Sequence, residues 1–112
     1  MLEVAKTANY IVTAADNGTL FTTVGAGAAV TFTLPALATG LVFEFLCGAG
    51  QNMIIAAAGS DKIILQNNVV GVSVTYSTSS QKIGARCRLR ANAAGTKWLF
   101  ENLNQGNTVT AA

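Results

Sequence analysis

Hydrophobic and polar positions along this chain alternate with a period of two over most of its length. Val30, Phe32 and Leu34 interleave with Thr31 and Thr33, so an extended backbone there carries an oily face and a neutral polar face. The same template predicts strands near residues 9–14, 19–24, 29–34, 41–47, 52–57, 61–66, 69–77, 83–91 and 96–103. Turn chemistry separates them at Asp16-Asn17-Gly18, Gly25-Ala26-Gly27, Pro35 to Gly40, Gly48-Ala49-Gly50, Gly59-Ser60-Asp61, Asn67-Asn68, Ser77 to Ser80 and Ala94-Gly95. One turn every ~8–12 residues is the interval of a sandwich or barrel. The runs Ala36–Ala38 and Ala56–Ala58 favour helix but are too short to offset nucleation.

The expected fold is therefore all-β: a two-sheet antiparallel β-sandwich of jelly-roll type with about eight or nine short strands. Residues 9–103 form the sandwich domain, 1–8 an N-terminal arm and 104–112 a C-terminal tail, each arm ordering only against a neighbour. Alternation assigns Val30, Phe32, Leu34, Leu41, Phe43, Phe45, Met53, Ile55, Val72, Val74, Tyr76, Cys87, Leu89, Trp98 and Phe100 to the core. Glu44 and Lys97 take the outward register. The sequence has no exact internal repeat, which argues against a solenoid.

Composition changes the picture at the surface. Of the 112 residues 51% are hydrophobic but only 11% are charged, so the exterior must be built from Thr, Asn, Ser, Gly and Ala. Such a surface repels copies of itself weakly and is buried against partners at little desolvation cost, which makes assembly a natural fate. Apolar stretches are interrupted well before the ~18 residues of a membrane-spanning helix, and MLEVAKTANY lacks the apolar segment of a secretory signal. No membrane association and synthesis in a cytoplasm are expected.

Candidate chemistry is sparse. The chain has no histidine, the side chain most used to move protons near neutral pH. Its five carboxylates, Glu3, Asp16, Glu44, Asp61 and Glu101, fall in separate segments and read best as solvated turn caps. Neither Gly25-Ala26-Gly27 nor Gly48-Ala49-Gly50 opens a helix, so neither is a phosphate loop. Two cysteines without histidine do not complete a zinc site; Cys47 and Cys87 are either buried free thiols or an inter-strand disulfide. No catalytic residue, metal or cofactor is expected, and the chain does not read as an enzyme.

The one patterned charge feature is Arg86, Arg88 and Arg90, which share one side of a strand at ~6.5–7 Å spacing while Cys87 and Leu89 face the core. This ridge is either a solvated strand face guarded by like charge or a grip for carboxylates across an interface. Net charge is +2 and little positive charge lies elsewhere, so nucleic acid is not the expected partner.

Five pieces occur in a distinctive order: Tyr10 to Phe21 (YIVTAADNGTLF), Val30 to Pro35 (VTFTLP), Gly40 to Phe45 (GLVFEF), Gln51 to Ile55 (QNMII) and Gly95 to Trp98 (GTKW). In this order the chain resembles a small β-rich module of tailed-bacteriophage virion proteins, found in capsid decoration (cement) proteins and in tail-fibre or tailspike proteins. It departs from the module in its arginine ridge and in Glu101 to Ala112. One module with two short arms, opening on Met, fits a whole small protein better than a segment of a long fibre, so the resemblance implies a decoration protein on the outer capsid surface of the virion. Its implied partners are the major capsid protein and further copies of itself as a dimer or trimer, with contacts from Met1, Leu2, Glu3, Val4 and Lys6 and from Arg86, Arg88 and Arg90. The alternative is a receptor-binding module contacting host glycans.

Overall fold

The computed structural model describes residues 1–104 and 109–112. Among these it is all-β, with β1 (Glu3–Ala5), β2 (Tyr10–Ile11), β3 (Leu20–Thr22), β4 (Val30–Thr33), β5 (Val42–Leu46), β6 (Met53–Ala56), β7 (Ile63–Leu65), β8 (Asn68–Gly71), β9 (Ser73–Tyr76), β10 (Arg86–Ala91), β11 (Trp98–Asn102) and β12 (Thr110–Ala111). A single 3₁₀ turn, Ala14–Asp16, is closed by Thr13 N–H donating to Asp16 Oδ2 at 2.9 Å. A seven-stranded sheet runs in the order β1-β3-β5-β10-β11-β7-β8 and a five-stranded sheet in the order β12-β9-β6-β4-β2.

Through β6 the chain changes sheet at every strand. A chain that crosses over and returns arrives running the same way, so β1, β3 and β5 pair in parallel, as do β2, β4 and β6. The winding is that of a short coil, against the expectation from the missing repeat. Its rungs are unequal, with odd strands starting at residues 3, 20 and 42 and even ones at 10, 30 and 53, so no period marks the sequence. Antiparallel pairing is confined to β10 with β5 and β11, β6 with β9, β7 with β8, and β9 with β12, while β11 runs parallel to β7. The antiparallel jelly roll expected from turn spacing is thus corrected to two mixed sheets.

The inner faces carry the alternating residues. Phe21 and Phe45 of the large sheet and Phe32 of the small one meet with ring centroids 5.1–5.8 Å apart, and Phe43 packs on Trp98 at 6.1 Å. Each of these rings is buried, and each contributes about 1.5–3 kcal/mol by leaving water. Cys47 and Cys87 are buried free thiols. Burial pushes the Cys87 thiol well above its ordinary range.

Four expectations are corrected. Residues 1–8 are not an arm that waits for a neighbour, because β1 adds to the chain's own sheet. In the tail, β12 pairs with β9 and Val109 is buried; residues 105–108 lie outside the described residues. The 69–77 strand divides at Val72, where the chain leaves one sheet for the other. There the backbone binds Ala112 O and Ala57 N–H, and the side chain, assigned to the core, is exposed. The β7–β8 turn has Gln66 and Asn67 at its centre, both at positive φ as a type I′ hairpin requires, one residue before Asn67-Asn68.

Gly48 shows how closely the strand ends approach. A Cβ there would lie 2.9 Å from Val24 N and press on Val24 Cγ2, while Gly48 N–H donates to Thr23 Oγ1 at 2.9 Å. Gly48→Ala is expected to lower stability by about 1–3 kcal/mol through overpacking. The measurement is the chemical-denaturation midpoint, and an unchanged midpoint would mean that the Val24 segment moves freely.

Candidate functional site

The outward face of the large sheet is organised by β10, which lies between β5 and β11. Register places Arg86 opposite Leu46, Arg90 opposite Val42 and Leu99, and Arg88 opposite both Glu44 and Glu101. Residues directly opposite share a face. One row across the sheet therefore reads Glu3, Leu20, Glu44, Arg88, Glu101, and the next reads Val42, Arg90, Leu99, Ile64.

Glu44 takes the expected outward register but is not solvated, being only 4% exposed. The arginine stems cover it. Arg86 Nε donates to Glu44 Oε1 at 2.9 Å, with Arg86 Nη2 on the same oxygen, and Arg88 donates to Oε2 through Nε at 3.2 Å and Nη2 at 3.0 Å. Burial alone would raise the Glu44 pKa; the hydrogen bonds and positive charges of Arg86 and Arg88 outweigh it and hold the carboxyl below its usual range. Glu101 is held differently. Its oxygens lie 3.7 Å from Arg88 Nη1 and 3.5 Å from Arg90 Nη2, and Oε1 is buried without a hydrogen bond.

The predicted cationic ridge is thus largely neutralised by the chain itself. Sequence pattern showed which way Arg86, Arg88 and Arg90 point but not that Glu44 and Glu101 flank them on adjacent strands. The available signal was an acid, Glu44, set among aromatics in a strand, where it needs a partner across the pair.

Beside Arg90 the face opens into a groove of about 480 Å³, lined by Met1, the Thr39-Gly40 turn, Val42, Glu44, Arg88, Arg90 and Ala91 to Ala93. Its walls are held by side-chain hydrogen bonds from Asn17, Thr39 and Asn92. Asn17 bridges Gly40 O at 3.3 Å and Val42 N–H at 2.8 Å, and Gly40 has a φ of +94°, which favours glycine. On the other side Asn92 Oδ1 accepts from Thr96 N–H at 2.8 Å, and Thr39 Oγ1 donates to Ala93 O at 3.4 Å.

Of the N-terminal residues singled out, Met1 reaches the groove, Leu2 is exposed and Glu3 lies at the far end of the charged row. Val4 packs against the core, and the Lys6 ammonium sits 3.9 Å above the Tyr10 ring, so both are used internally. Leu2 O and Lys6 N–H bind β3, which turns the backbone groups of Glu3 and Ala5 to the open edge. Among the described residues no three His, Cys, Asp or Glu side chains are grouped to hold a metal ion. No protein-family model matches the chain, and no curated protein matches it.

Because the folded-state pKa of Glu44 is depressed, its contribution to stability is complete above the unfolded value near about 4.3 and is lost as pH falls through the lower folded value. Glu44→Gln is expected to cost about 1–3 kcal/mol at neutral pH, as hydrogen bonds to a charged group do, and to flatten this acid-dependent loss. Denaturation curves from pH 7 down to about 3 measure both, and an unaltered pH profile in the variant would contradict the assignment.

Proposed function

We propose that the chain is a structural virion protein of the capsid decoration kind, which attaches to the outer surface of a phage head and ties neighbouring capsid subunits together. The observation that carries this reading is the outward face of the large sheet. Half-buried Leu20, Val42, Leu46, Ile64 and Leu99 surround guanidiniums already fixed by Glu44, next to a preformed groove. A face with its charges paired and its side chains ordered loses little entropy or solvation on docking. The order of the five sequence motifs supplies the virion context.

The mechanism is mass action. A protein that binds the assembled lattice and not free subunits lowers the free energy of the assembled state by its binding energy. Copies joined as dimers or trimers would multiply a small contact through effective concentration. The partner is the major capsid protein, and the open β1 edge beside Met1 and Leu2 offers a second contact.

The test is sedimentation of the purified protein with expanded heads of the phage that encodes it. Saturable occupancy of heads, with a higher disruption temperature of the decorated shell, is expected. Attachment to tails or to host glycans, with bare heads, would replace this reading by the receptor-binding one.

A further inference from the structure

The three arginines are not equivalent. Arg86 and Arg88 spend their hydrogen bonds on Glu44 and keep 40% and 33% of their side-chain surface exposed, while Arg90 keeps 53%. Arg90 approaches Glu101 Oε1 at 3.5 Å, yet that oxygen accepts no hydrogen bond, so the Arg90 guanidinium is near a compensating charge without its donors being used by it. It borders the groove, whose lining mixes the apolar Met1, Val42, Ala91 and Ala93 with Thr39, Asn92 and the mutually paired Glu44 and Arg88.

We propose that Arg90 is the recognition residue of this face, and that the groove takes an extended segment of a partner protein whose Asp or Glu side chain pairs with it between small apolar neighbours. The inference rests on the reading of this face as an interaction surface and names the chemistry of its partner. Charge selects the occupant. Arg90, whose donors Glu101 does not take in a hydrogen bond, lies in a groove whose other lining charges, Glu44 and Arg88, are paired with each other. It matches a single planar carboxylate, gripped through two parallel hydrogen bonds. A nucleic-acid backbone needs a row of free cations, and here Glu44 and Glu101 flank the arginines. The two asparagine-held walls leave the groove formed before the segment arrives.

The experiment uses the isotopically labelled full chain and backbone-amide NMR, titrated with a short capped alanine–valine peptide carrying one central aspartate, with the same peptide carrying asparagine, and with a short single-stranded DNA. Saturable shifts at Val42, Ala91 and Asn92 are expected with the aspartate peptide, and binding of the asparagine peptide weaker by about tenfold. Arg90→Gln should abolish that preference while lowering the folding midpoint less than Arg86→Gln does. Arg86→Gln should lower the midpoint and keep the preference. Equal binding of the two peptides, no saturable shift with either, saturation by the DNA, or a preference that survives in Arg90→Gln would each overturn the proposal. Capsids are not used, so a protein that prefers the aspartate peptide but leaves heads bare would refute the virion reading and leave the Arg90 assignment standing.

Discussion

A carboxylate buried on the solvent side of a sheet needs opposite charge and hydrogen-bond donors, and Glu44 finds both in Arg86 and Arg88. The pair also fixes how β5 and β10 lie together. A one-residue slip of β5 would turn Glu44 into the core and Phe43 and Phe45 out to water, and a slip of β10 would instead carry Cys87 and Leu89 out and the arginines in. Aromatic burial on one face and charge pairing on the other therefore demand the same register. The centre of the large sheet is specified twice over, and the strands added outside it inherit that alignment.

Much of this was legible in the alternation. Phe32, Phe43, Phe45, Met53, Ile55, Val74, Leu89 and Trp98 all face the core as the period-two pattern requires, and Phe100 is half-buried behind them. What the pattern reports is the face of a residue, not the neighbour of its strand. Parallel pairing of β1, β3 and β5 comes from crossovers between the sheets, which leave no mark in a local window. The strands β1 and β12 are too short to show alternation at all.

The same limit applies to the charged face of the large sheet. Pattern placed Arg86, Arg88 and Arg90 on one side of a strand, but which of them is occupied depends on Glu44 and Glu101 in strands far off in sequence. Asn17 looked like a turn residue and serves also as a brace of the groove, while Asn92, outside every predicted turn, braces the other wall. Charged residues make up 11% of the chain, and on this face Arg86, Arg88, Arg90, Glu44 and Glu101 form one network of ion pairs, which leaves no strong field around it. Specificity on such a surface has to come from shape and from a few donors left free.

The central claim is that the outward face of the seven-stranded sheet is the docking face on a phage head. A reconstruction of the decorated particle, resolved well enough to orient the two sheets, tests it most directly. The account predicts density on the outer shell with the Arg86–Arg88–Arg90 side turned against capsid subunits. Density confined to the tail, or a molecule on the shell with that side open to solvent, would contradict it.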